Sequence, residues 1–324
     1  MPRPADADIV TYGSQSSLVR PPLAPEFPGC RPFRLTREDV DAYDGHFEYW
    51  DAHTETAWKV CEPTGRAHEQ PSQRLAGQAH VIAAVRGAPI ECYGTMDLIL
   101  HDEGDRRRSI LQADQVVYLN PGRARLPASA GLVIGEHDLP DVVVEVDHTT
   151  DVRRGKLGLY EAWGFPEVWV EVPDRTSPNR PAGRAPGLTV HLLADDRYRT
   201  TTVSRAFPGW TAAEIHKAMN EPLPSAVTTR VLERVGRALG ARDGTGPDDT
   251  PWLRRQREEG RLEGRARLLN VVIRKTLASR GILAAVATLD ARDLAGLTDD
   301  DVMDALLACR DAADFRVRLR RRRR

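Results

Sequence analysis

The sequence predicts an α+β fold with one α/β crossover: a mixed central β-sheet flanked by helices, followed by a helical C-terminal tail. Three observations carry this. The first is a strand–helix–strand run with short joints, DLPDVVVEVD (138–147), DVRRGKLGLYEAWG (151–164) and FPEVWVEV (165–172), which reads as a crossover between parallel strands. The second is a series of β-branched and aromatic stretches between residues 46 and 120, separated by turn residues. The third is a change after residue 222 to helical, Arg/Glu-rich sequence. A length of 324 residues suits one main domain with appendages. With 41% hydrophobic and 29% charged residues, wholesale disorder is not expected.

Taken in order, residues 1–34 hold seven prolines and no periodic pattern, and are expected to form a disordered N-terminal arm. TREDVDAY starts a short helix with Thr36 as N-cap and Asp39 three residues on. HFEYWDAHTETAWKV (46–60) reads as a hairpin. In 66–85, Leu75, Val81, Ile82 and Val85 lie at roughly helical spacing, with Pro71 placed near the true helix start. PIECYGTMDLIL (89–100) and ADQVVYLN (113–120) are strands separated by the charged turn HDEGDRRRS. The helix over 151–164 ends at Gly164, with Pro166 beyond it. Residues 173–187 form a loop, LTVHLL and YRTTTV a further hairpin, and TAAEIHKAM opens with a Thr-x-x-Glu capping box. Residues 225–242 are helical, DGTGPDDTP (243–251) links, and WLRRQREEGRLEGRARLLNVVIRKTLASRG is helical again before the terminal RVRLRRRRR. The expected domains are therefore the arm 1–34, a main domain 35–222 and a helical, Arg-rich tail 223–324.

Composition narrows the function classes. The net charge of −1 hides an asymmetry: residues 251–324 carry a net +7 and the first 250 a net −8. A basic tail permits nucleic-acid binding. No stretch approaches the roughly 18–20 apolar residues of a membrane span, and the first residues show no basic region leading into an apolar run, so no membrane partner and no signal peptide are expected. Cys30, Cys61, Cys92 and Cys309 form no CxxC pair, which argues against a zinc ribbon or a disulfide framework and favours a reducing cytoplasm. The histidines show no HExxH spacing, and neither GxSxG nor GxxxxGK[ST] occurs.

The segment from Pro140 to Trp169 is where chemistry is expected. On a strand, Val142, Val144 and Val146 point one way and Asp141, Val143, Glu145 and Asp147 the other. The valine run suggests a strand buried on both faces, and a buried Glu145 needs a metal or a cationic partner. A strand with one solvated face would leave Glu145 merely exposed. Asp147 is either a third ligand or the start of the turn after the strand. On the next helix Val152, Lys156, Leu159, Tyr160 and Trp163 share one face, so Lys156 points at the sheet, to snorkel or to act. The chain has 42 arginines and only 4 lysines, so a lysine here suggests a need for a compact ammonium. Asp114 is a turn residue or, if its strand pairs with 140–147, meets Glu145 across the ladder. Two carboxylates on adjacent strands and a lysine make a magnesium site for phosphodiester hydrolysis.

PDVVVEVDHTTDVRRGKLGLYEAWGFPEVWVEVPD resembles the signature of the Uma-type restriction endonucleases, a bacterial family of the PD-(D/E)XK nuclease superfamily. The matching positions are Pro140-Asp141, Glu145-Val146, Lys156 to Tyr160, and Gly164 through Trp169; the resemblance covers roughly residues 36–222 and is concentrated in 138–174. It implies a restriction-endonuclease-like fold and a catalytic set of Asp114, Glu145 and Lys156, with Asp114 and Glu145 holding magnesium or manganese. His68 and Glu69 are implied as additional site residues, and the role of Asp147, a further candidate, is left open. The sequence departs from the superfamily pattern in two places: Asp147 stands where the lysine usually follows the acid, with Lys156 eleven residues after Glu145, and Ala113 replaces the proline before Asp114. The implied activity is metal-dependent DNA endonucleolysis, with DNA as partner, a homodimer as a common arrangement among restriction-type nucleases, and no small-molecule organic cofactor. The alternative is a catalytically inactive nuclease-fold module that binds DNA or a protein through its basic tail.

Overall fold

The computed structural model describes residues 26–61, 66–124, 131–148, 150–175, 180, 183–282, 289–290, 293–294 and 296–322, apart from the side chains of 66–68, 252–253 and 256–257. Ten strands form one mixed sheet: β1 (Cys30–Arg34), β2 (Tyr49–Asp51), β3 (Thr56–Val60), β4 (Glu91–His101), β5 (Arg107–Tyr118), β6 (Leu132–Val133), β7 (Val142–Val146), β8 (Glu167–Val172), β9 (Gly187–Ala194) and β10 (Arg197–Thr201). The main path runs β1-β3-β2-β5-β7-β8-β9-β10, with β4 beside β5 and β6 beside β4. The helices are α1 (Arg66–Arg86), α2 (Lys156–Ala162), α3 (Ala212–Asn220), α4 (Ala226–Asp243), α5 (Pro251–Ser279), α6 (Asp299–Ala308) and α7 (Ala312–Arg322). The α+β class is as expected. No helix among the described residues is long and apolar enough to cross a membrane.

The crossover forms as the pattern predicts. β7 and β8 are parallel, with Val143 opposite Val168 and Glu145 opposite Val170, and every residue of both strands is buried. Between them, α2 ends in a Schellman motif: Gly164 has φ +81°, its N–H bonds Glu161 O, and Phe165 N–H bonds Tyr160 O. The hairpins β2–β3 and β9–β10 also form, the latter turning through Asp195 and Asp196, both with positive φ. Thr211 and Glu214 make the reciprocal capping box at the start of α3.

Five expectations are corrected. Part of the arm is ordered: Cys30–Arg34 is β1, and its Pro32 is tolerated because β1 is an edge strand; residues 1–25 lie outside the described residues. The helix expected after Thr36 is only a 3-10 turn at Val40–Ala42, with the Thr36 and Asp39 side chains bonded to each other. α1 starts at Arg66, so Pro71 sits inside it rather than at its start. β5 starts at Arg107, well before Ala113, because the turn at 102–105 is closed by Asp102 accepting from the N–H groups of Gly104 and Arg106, which frees the arginines to pair. The helix over 151–164 is split: a 3-10 turn at Val152–Arg154, capped by Asp151, then Gly155, then α2 from Lys156.

The chain divides into two compact units. One comprises residues up to Ile82 together with Pro89–Val235; the other comprises Ala83–Ala88 and Gly236 onward. The division thus falls within α4 rather than at residue 223. The second unit has its own core, in which Leu269, Ile273 and Leu277 of α5 meet Val302 and Leu306 of α6 and Phe315 and Leu319 of α7.

In the first unit α3 is docked by polar contacts. Arg74 donates to the carbonyls of Met219 and Asn220, and His216 bridges Glu171 at 2.8 Å and Asp174 at 3.1 Å. The hydrogen bond to the buried Glu171 raises the histidine pKa above its usual value, while burial raises that of Glu171. A histidine whose folded pKa is raised adds stability below its ordinary pKa of about 6.5 and loses it as pH rises through the folded value. His216→Gln is therefore expected to cost about 1.5–3 kcal/mol at pH 6 and distinctly less at pH 9, read from urea unfolding at the two pH values.

Candidate active site

The site sits where one strand changes partner. β4 lies along one edge of β5. The other edge is shared: β2 pairs with Ser109–Leu111, and β7 pairs with Gln115–Val117. The fork between them is Gln112–Asp114. Glu48, one residue before β2, approaches it from one side, and its backbone carbonyl accepts from Gln112 N–H at 3.1 Å. The end of β7 approaches from the other side. The β5–β7 register, with Gln115 opposite Val144, places Asp114 opposite Glu145 one step further on, as the sequence suggested.

A strand fork leaves backbone groups that no ladder pairs, and side chains take them up. Asp114 Oδ2 accepts the Val146 N–H at 2.6 Å. Lys156, the first residue of α2, donates to Gln112 O at 2.7 Å, Glu145 Oε2 at 2.9 Å and Glu48 Oε2 at 2.5 Å. Those are the three donors of an ammonium, in a space that a planar guanidinium would not match. The other oxygen of Glu145 accepts from the Tyr160 hydroxyl. Glu145 is 1% exposed and Lys156 4%, and Tyr160 is buried; Glu48 retains 14% side-chain exposure. Val152, Leu159, Tyr160 and Phe165 wall this face with Val143, Val168 and Val170.

Three carboxylates thus surround one lysine. Burial, reinforced by Asp114 and Glu48 and only partly offset by Lys156, pushes the Glu145 pKa up to about 8. Burial would lower that of Lys156, but Glu145, Glu48 and Asp114 outweigh it and hold the lysine above its usual value, so it stays an ammonium. Fully ionised, these three carboxylates and the lysine would carry two negative charges more than positive.

The structure brings Asp114, Glu145 and Lys156 together. It gives Asp147 a different partner: Asp147 is buried in an ion pair with Arg184, its N–H bonds Glu171 O, and burial pushes its pKa up to about 6. Glu69 is exposed in the first turn of α1. The side chain of His68 lies outside the described residues. Asp141, of the Pro-Asp pair, serves the opposite end of β7, accepting from Leu119 N–H and pairing with Arg123. Sequence reasoning missed Glu48 and the bond from Tyr160. A glutamate in the aromatic hairpin 46–60 was the available signal for Glu48, but its meaning depends on β2 pairing with β5.

The one cluster of His, Asp and Glu ligand atoms that gathers within 4.8 Å among the described residues lies elsewhere, at His101, Asp105 and Glu136. Its carboxylates are exposed, and such groups are common without an ion. A scan against protein-family models and a search of the curated proteins found no match to this chain.

Proposed function

We propose that the chain is a metal-dependent DNA endonuclease acting in the cytoplasm, with its active site at the β2–β5–β7 fork. The observation that carries this reading is the convergence of Glu48, Glu145 and Asp114 on Lys156, with the Gln112 carbonyl, in one apolar-walled group. The oxygens are carboxylate and carbonyl, the ligand type of a hard divalent cation; the three carboxylates do not gather within 4.8 Å as they stand, so a cation would have to draw them together beside the Lys156 ammonium. Asp114, Glu145 and Glu48 are the residues that would hold it. Magnesium or manganese supplies Lewis acidity toward a phosphoryl oxygen and a bound water of lowered pKa.

The residues themselves have separable roles. Lys156, held protonated with its donors engaged, cannot serve as a general base; its fixed charge stabilises negative charge developing on phosphate. Tyr160 and Lys156 fix the Glu145 carboxylate. Glu48 is the more exposed carboxylate beside the lysine, placed to accept a proton from an attacking water. A homodimer, common among restriction-type nucleases, belongs to the same reading.

The second reading is a nuclease-fold module that binds without cutting. The observation favouring it is that Lys156 itself fills the space between Glu145 and Glu48, while the second unit, with its own core, ends in the arginine-rich α7. Plasmid nicking with magnesium or manganese separates the two. Cutting that needs metal and is lost in Glu145→Ala and Lys156→Ala supports the endonuclease. DNA binding with no cutting by any of the three proteins supports the module, and cutting that survives both substitutions removes the fork as the site.

A further inference from the structure

The lysine and carboxylates of the fork are covered. The opening beside Lys156 and Glu48 is bounded by Phe27, Pro28 and Cys30 on one side and Thr150, Asp151 and Val152 on the other, and the space left over is about that of a single water. A phosphodiester with its sugars cannot enter it. Thr150–Val152 belongs to the joint between β7 and α2, where Asp151 caps the 3-10 turn Val152–Arg154 that leads into Lys156. Glu26–Pro28 is held differently. Phe27 stacks on Tyr49 with centroids 5.1 Å apart and lies 5.6 Å from Trp58. Glu26 N–H bonds Arg154 O at 3.3 Å, and the Glu26 carboxylate pairs with Arg154 at the surface, where solvent and salt weaken the attraction. Gly155 permits the close passage: a Cβ there would lie 2.5 Å from Glu26 O. Immediately after the segment, Phe27 O accepts from Cys30 N–H across a turn with Pro28 and Gly29 at its centre, and Gly29 has φ +84°. That is the form of a type II turn, a ready pivot.

We infer that Glu26–Pro28 is a strap, seated by Phe27 between Tyr49 and Trp58 and pivoting at Gly29, that closes the fork and must lift before a nucleic-acid backbone can reach Lys156 and Glu48. As a control on cutting, this rests on the nuclease reading; as a cover over the fork, it does not.

The reporter is Cys30, which lines the same opening. Burial pushes its thiol pKa up to about 12, so it reacts slowly while covered. Alkylation by iodoacetamide at pH 8, followed at Cys30 by peptide mass spectrometry, is compared in the native chain, Phe27→Ala and Gly155→Ala, with the exposed Cys61 as internal control. Unseating Phe27, or crowding Glu26 with a Cβ at residue 155, is expected to speed Cys30 alkylation at least about tenfold and leave Cys61 unchanged. Melting temperatures show that each variant is folded; if Phe27→Ala is not, Gly155→Ala carries the test. Unchanged Cys30 alkylation in the folded variants overturns the strap, whether or not the protein cuts DNA. Faster alkylation with faster metal-dependent nicking supports the strap as a control on cutting. Faster alkylation with no nicking by any of the proteins keeps the strap as a cover and removes the nuclease reading.

Discussion

Lys156→Met is expected to destabilise the first unit by about 3–5 kcal/mol, the usual cost of removing one partner from a buried ion pair. The methionine fills similar space, so the loss is electrostatic: Glu145, 1% exposed, keeps the repulsion of Asp114 and Glu48 and loses the cation that offsets it. The diagnostic is the double variant. Lys156→Met with Glu145→Gln is expected to recover at least half of the loss, because the remaining carboxylates reach solvent and the glutamine still accepts from Tyr160. Urea unfolding of the four proteins gives the coupling directly. A double variant that loses the sum of the two single effects would show that the pair is not the unit described here.

The second large effect separates charge from shape. Lys156→Arg keeps the positive charge, yet metal-dependent nicking is expected to fall by about 10²–10³-fold, the scale seen when a fixed electrostatic donor is lost. The ammonium makes three contacts within 2.9 Å, to Gln112 O, Glu145 and Glu48. A guanidinium cannot reproduce them without displacing one carboxylate. Initial nicking rates under saturating metal read the effect, and full activity in the arginine variant would mean that only charge matters at this position.

The preference for lysine in a chain built on arginine was visible in the sequence, and so was the face that Lys156 shares with Val152, Leu159 and Tyr160, because both are local properties. The register that sets Asp114 against Glu145 was legible once the two strands were assumed to pair. Glu48 was not legible in this way. Its role depends on β2 and β7 meeting the same edge of β5, and no local periodicity encodes that meeting. The same limit applies to Asp147, which the sequence left open as a third ligand or the start of the turn, and whose partner, Arg184, comes from a loop thirty-seven residues on. At element ends, local chemistry overrode pattern: Asp102 organises a turn that lets the arginine-rich start of β5 pair, and Gly155 divides a stretch that reads as one helix.

The most direct test of the account is whether a divalent metal binds the folded chain through the fork. The measurement is the melting temperature with and without about 10 mM magnesium or manganese, in the native chain and in Glu145→Gln. Binding at tenfold over the dissociation constant adds about 1.4 kcal/mol, which for a unit of this size raises the melting temperature by a few degrees. The account predicts that rise in the native chain and its loss in Glu145→Gln. An equal rise in both proteins, or none in either, would contradict it.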